Sequence, residues 1–330
     1  MESNTRLVLA GDVGGTKTEL AIYQDGDCYE PLVRESFASA SYCDLESMVR
    51  EFLASKGLVV RRAAFGVAGP VLAGRAKITK LDWVVDRQQF LKTFELEEVA
   101  VVNDLVATAH GIAALPTTDL VTLNQGQRVE HGPLAVIAAG TGLGEALMFW
   151  DGHRYQACAT EGGHAFFSPA SREHLALASY LHDLYGPVSF DFLASGRGLP
   201  LIYDFLLTTG PYEAPAWLVA AMAVGDPSPA IARAALDPGG ASPLCLAAVR
   251  ILVELLAVES ANLALKTLST GGLYLGGGIP PKLAPLFEKH FMATFLGHRQ
   301  LREILAAMPV YLIMNPQTAL LGAARLAMAS

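Results

Sequence analysis

A short pattern occurs twice in this chain at an offset of 126 residues, and it limits the possible folds more than any other part of the sequence. Each copy is an apolar strand, a glycine-rich turn, a second strand and an Asp-Gly turn, and the copies end in ELAIYQDG (19–26) and EALMFWDG (145–152). Asp-Gly pairs are typical of tight hairpin turns. The repeat is too long for a solenoid, so it indicates a duplicated lobe. Two unrelated hairpins with the same turn chemistry are the alternative.

The remaining apolar patterns predict an α/β protein. Strands are predicted over residues 7–10, 19–24, 28–34, 62–67, 99–102, 134–139, 273–275 and 311–313. Helices are predicted over residues 44–55, 90–96, 107–115, 172–185, 199–207, 243–268 and 318–329. At about 100–200 residues per domain, a chain of 330 residues predicts about two domains.

Composition excludes several classes of protein. An apolar content of 52% favours a globular fold over a disordered chain. The formal net charge of −8 argues against nucleic acid or an anionic membrane as a partner. The four cysteines form no C-x-x-C pair, and the apolar run at 7–10 is too short for a signal peptide. We therefore expect a cytoplasmic protein with reduced thiols.

The first glycine turn, in LAGDVGGTKT, favours an anion-binding site. A dinucleotide-binding turn has the pattern G-x-G-x-x-G and opens a helix, whereas a strand follows here, and the Walker pattern is also absent. Backbone N–H groups around Gly14 and Gly15 can form a concave phosphate site, to which Thr16 adds a hydroxyl and Lys17 a charge. Asp12 could hold Mg²⁺ through water. The alternative is a structural turn in which Asp12 caps its own backbone.

Two further glycine clusters also follow predicted strands. Gly140, Thr141, Gly142 and Gly144 form a second turn rich in hydrogen-bond donors, and two such turns facing each other could grip a triphosphate. The cluster 276–278 consists of three glycines, whose backbone would let a base or ribose lie close. Three clusters in this context are hard to explain as chance turns, so they predict a nucleotide site.

The segment VVNDLVATAHGI places two polar residues at the end of a predicted strand. Ligands in open α/β sheets bind at the carboxyl ends of strands. Asp104 could accept a proton from an alcohol while Asn103 forms a hydrogen bond with a neighbouring hydroxyl. Alternatively, either residue simply caps the following helix.

The segment ATEGGHAFF supplies a carboxylate and an imidazole on one tight turn, Glu161 and His164. This pair suits recognition of a polyol, whereas zinc is a weaker interpretation because no partner ligands lie nearby in the sequence. A surface turn with an incidental histidine is the alternative. Asp191 and the segment ASGRG (194–198) are more simply interpreted, in isolation, as helix caps.

Together these motifs resemble those of one enzyme family. GDVGGTKT, VVNDLVATAHG, GTGLG, EGGH, SGRGL and ANLALK…GGLYLGGGIPPK occur in an order and spacing similar to those of the bacterial hexokinase-type glucokinases, members of the superfamily that also contains actin. The resemblance extends from residue 7 to about residue 327. A related branch of repressors and kinases has a cysteine-rich zinc motif after its EGGH-like turn, and no such motif follows His164 here.

The resemblance implies an α/β fold of two actin-like, ribonuclease H-like lobes around a central cleft. The small domain would hold residues 1–114 plus 310–330, and the large domain residues 115–309. The expected activity is ATP- and Mg²⁺-dependent phosphorylation of the 6-hydroxyl of glucose, in a protein that is often a homodimer. A kinase for mannose, fructose or an N-acetylated sugar, an actin-like ATPase that switches partner binding, and a non-catalytic sugar sensor are the alternatives.

The resemblance also assigns roles to residues of this chain. Asp104 would be the general base, and Asp12 would lie near Mg²⁺. Asp191 stands where the family usually has glutamate, so its carboxylate is one methylene shorter. The expected sugar contacts are Asn103, Asp104, Glu161, His164 and Asp191, and the expected ATP contacts are Gly11, Asp12, Val13, Gly14, Gly15, Thr16, Gly140, Thr141, Gly142, Gly276, Gly277 and Gly278.

Overall fold

The computed structural model describes residues 7–26, 29–78 and 81–329. Its strands are β1 (Leu7–Val13), β2 (Lys17–Gln24), β3 (Val33–Ala38), β4 (Arg62–Val67), β5 (Val71–Leu72), β6 (Arg75–Lys77), β7 (Val84–Asp86), β8 (Glu98–Asn103), β9 (Leu120–Asn124), β10 (Leu134–Ala139), β11 (Leu143–Trp150), β12 (Tyr155–Thr160), β13 (Gly272–Gly276) and β14 (Val310–Ile313).

Its helices are α1 (Leu45–Lys56), α2 (Arg87–Thr93), α3 (Asp104–Gly111), α4 (Arg172–Tyr185), α5 (Phe190–Leu193), α6 (Gly198–Thr209), α7 (Ala216–Met222), α8 (Pro227–Ala235), α9 (Pro243–Thr267), α10 (Ala284–Phe295), α11 (Arg302–Ala307) and α12 (Thr318–Ala329). Within the described ranges, none of these helices has both the length and the apolar character of a membrane span. Cys43, Cys158 and Cys245 are free thiols, and Cys28 lies outside the described residues.

The chain divides into two compact units. The first unit contains residues 1–119, 157–159 and 315–330, and the second contains residues 120–156 and 160–314. The small domain expected from the sequence, residues 1–114 plus 310–330, includes the last strand, β14. In the structure β14 pairs with β13 and β9 and buries Val310 and Leu312 in the core of the second unit, so the C-terminal return to the first unit begins after β14, at residue 315.

The first unit is built on a five-stranded sheet in the order β3-β2-β1-β4-β8. Strands β1, β4 and β8 are parallel, so their carboxyl ends meet at one edge. One face of the sheet packs against α1 in a core that includes Leu9, Leu20 and Phe52. The other face packs against α12 in a smaller core around Ala10 and Tyr23.

The second unit is built on a six-stranded sheet in the order β12-β11-β10-β13-β14-β9. Its longest helix, α9, begins where the Ser242 hydroxyl accepts a hydrogen bond from the Cys245 N–H, and Pro243 suits the first position because no N–H is needed there. Most of α9 is buried, and its apolar side chains form the centre of the core on this sheet.

The duplicated hairpins are both present, but their registers differ by one residue. Val13 pairs with Thr18 across the first turn, whereas Ala139 pairs with Leu143 across the second. A shift of one residue moves a side chain to the other face of the sheet. The glutamates that align in the two sequence copies are therefore placed differently: Glu19 lies opposite Asp12, and Glu145 lies opposite Ile137 rather than opposite Ala138.

Three predicted elements occur at shifted positions, and one of them is the helix expected at 107–115, which lies at Asp104–Gly111. The strand expected at 28–34 lies at Val33–Ala38, because Pro31 has no N–H to offer a sheet and the first bond back to β2 is made by the Leu32 N–H to the Ile22 carbonyl. Residue 28 lies outside the described residues. The helix expected at 90–96 lies at Arg87–Thr93, since the Asp86 carboxylate caps its first turn.

Candidate active site

The carboxyl edge of the first sheet brings together polar residues that are far apart in the sequence. Asp12 of β1 pairs in register with Gly66 of β4, and the next residue of β4, Val67, pairs with Asn103 of β8. Asp104 follows directly as the first residue of α3. Burial and the nearby carboxylates of Asp104 and Glu19 raise the pKa of Asp12 to about 7, against a smaller lowering by the Lys17 ammonium. This edge therefore brings three carboxyl groups close together, with the Lys17 ammonium beside them.

The two candidate residues at the start of α3 are held by the backbone of that helix. Asn103 Oδ1 and Asp104 Oδ1 each accept a hydrogen bond from the Leu105 N–H at 2.9 Å, and Asn103 Nδ2 donates to the Gly69 carbonyl at 3.2 Å. The capping interpretation is thus correct for Asn103. It does not exclude a base role for Asp104, because the hydrogen bond from the Leu105 N–H orients the carboxylate.

The first glycine turn (residues 14–16) is braced by a residue that the sequence analysis missed. The Ser39 N–H donates to the Thr16 carbonyl at 3.0 Å, and its hydroxyl donates to the Gly14 carbonyl at 2.8 Å. The Ser39 and Thr18 hydroxyls lie 3.0 Å apart, and both residues are fully buried. Nothing in the run of small residues around Ser39 indicates this role, which depends on a contact between segments distant in sequence.

A cleft of ≈ 270 Å³ opens beside Asp12. It is lined by Asp12, Lys17, Glu19, Arg34, Pro316 and Gln317. Lys17 forms an ion pair with Glu19, and its side chain is 60% exposed. The positive charge that the sequence offered to a phosphate is therefore partly engaged by a neighbouring carboxylate.

The second and third glycine turns lie side by side at the carboxyl edge of the second sheet. Strands β10 and β13 are parallel, with Ala138 opposite Gly276, so residues 140–142 and 276–278 leave the sheet at the same edge. Gly277 has a φ of +88°, and a Cβ there would meet the Ala139 carbonyl. Only glycine allows this close approach without strain.

The 161–164 turn lies against the first residues of β11. A Cβ on Gly163 would meet the Leu143 carbonyl, so glycine is required there, and a Cβ on Gly162 would displace the Glu145 carboxyl. The flanking side chains of Glu161 and His164 are 73% and 60% exposed. The turn therefore presents a carboxylate and an imidazole to solvent, as recognition of a polyol requires.

Asp191 connects this turn to the second glycine turn. Its Oδ1 accepts from the Leu143 N–H at 2.8 Å, its Oδ2 accepts from Arg197 Nη2 at 2.8 Å, and His164 Nδ1 lies 3.9 Å from Oδ2. Arg197 Nε also donates to the Thr141 carbonyl at 2.7 Å. The helix-cap interpretation of Asp191 is wrong, since Ser189 caps α5 and the Asp191 carboxylate is used to join the segments.

The predicted site residues thus form one group in each unit. The group of the first unit is Gly11, Asp12, Val13, Gly14, Gly15, Thr16, Asn103 and Asp104. The group of the second unit is Gly140, Thr141, Gly142, Glu161, His164, Asp191, Gly276, Gly277 and Gly278. Residues that bind or catalyse are commonly collected at such strand ends in α/β proteins.

Known proteins are similar to this chain along nearly its whole length. A family model described as glucokinase matches residues 9–330. A glucokinase from Nostoc sp. is 36% identical over 96% of this chain and 98% of its own length. A crystal structure of glucokinase from an Antarctic psychrotroph has a TM-score of 0.83 and 25% identity, covering 98% of this chain and 99% of the other.

A structure of lower identity supports the same fold. A glucokinase of the ROK family from Streptomyces griseus, in complex with glucose and AMPPNP, has a TM-score of 0.65 and 22% identity, and covers 98% of this chain and 100% of its own. The expected actin-like α/β fold is confirmed. From the match of the family model and the similarity of the Nostoc enzyme across nearly its full length, the chain belongs to the glucokinase family.

Proposed function

We propose that this protein transfers the γ-phosphoryl group of ATP to the 6-hydroxyl of glucose, giving glucose 6-phosphate and ADP. The observation that supports this most strongly is the carboxyl edge of the first sheet, where Asp104, Asp12 and the first glycine turn lie together. Phosphoryl transfer needs a positioned base, charge neutralisation and aligned reactants rather than covalent help from the protein.

In this mechanism Asp104 takes the proton of the sugar 6-hydroxyl as that oxygen forms its bond to the γ-phosphorus. The bond from the γ-phosphorus to the bridging oxygen of ADP breaks, and the proton remains on Asp104 until it passes to solvent. The Leu105 N–H, 2.9 Å from Asp104 Oδ1, fixes the orientation of the carboxylate.

The glycine turns supply donors for the phosphates of ATP. Backbone N–H groups of residues 15–16 and of residues 141–142 would bind phosphate oxygens, as would the Thr16 and Thr141 hydroxyls. The Gly14 and Gly140 N–H groups instead close their turns by donating to the Lys17 and Gly142 carbonyls. Residues 276–278 would lie beside the adenosine. Asp12 would hold Mg²⁺, directly or through water, because the carboxylates that raise its pKa leave a local excess of negative charge suited to a cation. The bound ion would neutralise phosphate charge.

Glucose would be bound by hydroxyl contacts to Asn103, Glu161 and His164, with Asp191 as a further contact. Both oxygens of Asp191 already have protein partners, and its side chain is only 14% exposed. This engagement favours a second candidate, a kinase whose best substrate is another hexose. Replacement by the usual residue, Asp191→Glu, tests the contact: unchanged glucose KM and hexose preference would exclude it.

A coupled assay of ADP release with glucose, mannose, fructose and N-acetylglucosamine tests the proposal. We expect ADP release to require a sugar. When each sugar is supplied at the same low concentration, release should be fastest with glucose. Preference for another hexose would support the second candidate, and ADP release without any sugar would support the ATPase switch. The homodimer implied by the family resemblance stays a prediction, which light scattering of the purified protein would check.

A further inference from the structure

Two buried carboxyl groups lie directly beneath the 161–164 turn. Glu145, on β11, is 3% exposed, and Glu259, on α9, is 1% exposed. The two groups lie within hydrogen-bonding range of each other. A buried carboxylate is costly unless it is paired, so this arrangement requires an explanation.

Nearby donors reach only some of the four carboxyl oxygens of this pair. Asn262 Nδ2 donates to Glu259 Oε2 at 2.9 Å, and Lys266 Nζ lies 3.6 Å from Glu259 Oε1. Among the described residues, the Oε1 atoms of Glu145 and Glu259 have no hydrogen-bond partner. A single proton on one of the two groups turns an acceptor into a donor and satisfies its neighbour.

The charges around the pair also indicate that it holds one proton. Lys266, on α9, forms an ion pair with Glu259 and also attracts the charge of Glu145. Its single positive charge can balance one ionised carboxylate but not two. Strand β10, which pairs with β11, has no charged residue, and α5 contributes only the anionic Asp191 on this side. Glu161 and His164 of the turn extend toward solvent. Burial first, and then Glu259, raise the pKa of Glu145 to about 8, while Lys266 lowers it.

The pair is in contact with the turn itself. A Cβ added to Gly162 would meet Glu145 Oε2, so the carboxyl group lies against the backbone of that residue. The Gly162 N–H donates to the Thr160 hydroxyl at 2.7 Å, which holds the turn over β11. A full charge on Glu145 would need hydration that this packing does not admit, so the backbone above it would have to move.

We propose that Glu145 and Glu259 share one proton and that neutral Glu145 is a positioning residue for the glucose-binding turn 161–164. The part that concerns glucose rests on the proposed function. When the pair loses its proton at alkaline pH, the turn shifts and glucose binds more weakly, while the chemical step at Asp104 is affected less. Neither glutamate touches the substrate in this account.

The test measures glucose KM and kcat at saturating ATP between about pH 6.5 and about pH 9.5. For the wild type we expect KM to rise by about fivefold or more across this range, with a smaller change in kcat. Glu145→Gln keeps the shape without the titration, so its KM should stay flat. Glu259→Gln removes the neighbour that raises the pKa of Glu145, so the rise should begin at lower pH.

Glu46→Gln is the matched control. Glu46 is also a buried carboxyl with a raised pKa, but it lies on α1 in the first unit. Its replacement should leave the wild-type rise in KM intact. A rise in Glu145→Gln equal to that of the wild type, or no rise in the wild type, would overturn the positioning role.

Melting temperature over the same pH range tests the shared proton without any reference to the reaction. A carboxyl with a raised pKa holds its proton more tightly when folded, so its contribution to stability falls from about pH 4.5 toward pH 8. Glu145→Gln should therefore lose less stability than the wild type as pH rises, and equal slopes would refute proton sharing. If the wild type phosphorylates no glucose, the proposed function fails, whereas this series and calorimetric glucose binding still decide the inference.

Discussion

The two hairpins of the duplicated pattern have similar sequences and use their aligned glutamates in opposite ways. Glu19 lies opposite Asp12 and takes part in the charged cleft of the first unit. Glu145 lies opposite Ile137 and is buried against α9 in the core of the second unit. One residue of difference in register accounts for this, because side chains alternate between the faces of a strand. A sequence repeat therefore establishes a repeated backbone without establishing a repeated role.

The two units place their carboxyl groups in different surroundings. The first unit gathers carboxylates at an accessible strand edge, where a proton and phosphates can be handled. The second unit buries its carboxyl pair and presents the exposed Glu161 and His164 above it. We infer that the first unit supplies the groups that react in the transfer, and that the second unit supplies most of the side chains that bind the sugar. The following predictions test this division in order of expected effect.

The largest effect is expected at the reactive edge of the first unit. Asp104→Asn removes the base while keeping an acceptor for the Leu105 N–H, so kcat should fall by about 10²- to 10⁴-fold. Asp86→Asn is the control, because Asp86 also lies at a helix start, where it caps α2 and pairs with Arg75. Steady-state kinetics of both variants provide the measurement. Near-wild-type turnover in Asp104→Asn would remove that residue from the base role.

The next largest effect is expected at Gly142, which lies against Asp191 in the second glycine turn. A Cβ on Gly142 would meet Asp191 Oδ1, whereas in the described part of the chain a Cβ on Gly140 would meet no atom within 4 Å. Gly142→Ala should therefore destabilise the protein by about 1–3 kcal/mol, and Gly140→Ala should leave the melting temperature unchanged. Urea unfolding of both variants distinguishes these cases. Equal stabilities would show that Asp191 does not constrain the turn.

The first glycine turn should become less stable when the Ser39 hydroxyl is removed. Ser39→Ala removes the hydrogen bond to the Gly14 carbonyl and leaves the buried Thr18 hydroxyl with one partner fewer. We expect a loss of about 1–2 kcal/mol in the free energy of unfolding and a higher KM for ATP. Ser41→Ala, at an exposed position nearby, is the control. An unchanged KM for ATP would mean that the turn keeps its shape without Ser39.

The smallest effect is expected at Lys17. This side chain is largely exposed and paired with Glu19, and exposed ion pairs contribute about 0–1 kcal/mol. Lys17→Met should therefore change the KM for ATP by less than about twofold. A severalfold rise would show instead that Lys17 reaches a phosphate.

Local signals were sufficient to predict much of the fold and where the candidate site residues lie in it. Glycine spacing, apolar runs and the Asn103-Asp104 pair located the turns, the central strands and the start of α3 within a few residues. Contacts between distant segments were not predictable from them. Tertiary packing determines the hairpin registers, the pairing of β14 and the hydrogen bond from Ser39 to the first glycine turn. It also determines that Arg197 contacts Asp191 and that Glu259 lies beside Glu145.

The division of work between the units is tested most directly by calorimetric titration of glucose into two variants. Asp104→Asn should keep its glucose Kd within about threefold of the wild type, because the base contributes to transfer rather than to sugar affinity. Glu161→Gln should raise the glucose Kd by about tenfold or more, because it loses charged hydrogen bonds to the sugar. Loss of glucose binding in Asp104→Asn, or an unchanged Kd in Glu161→Gln, would contradict the account.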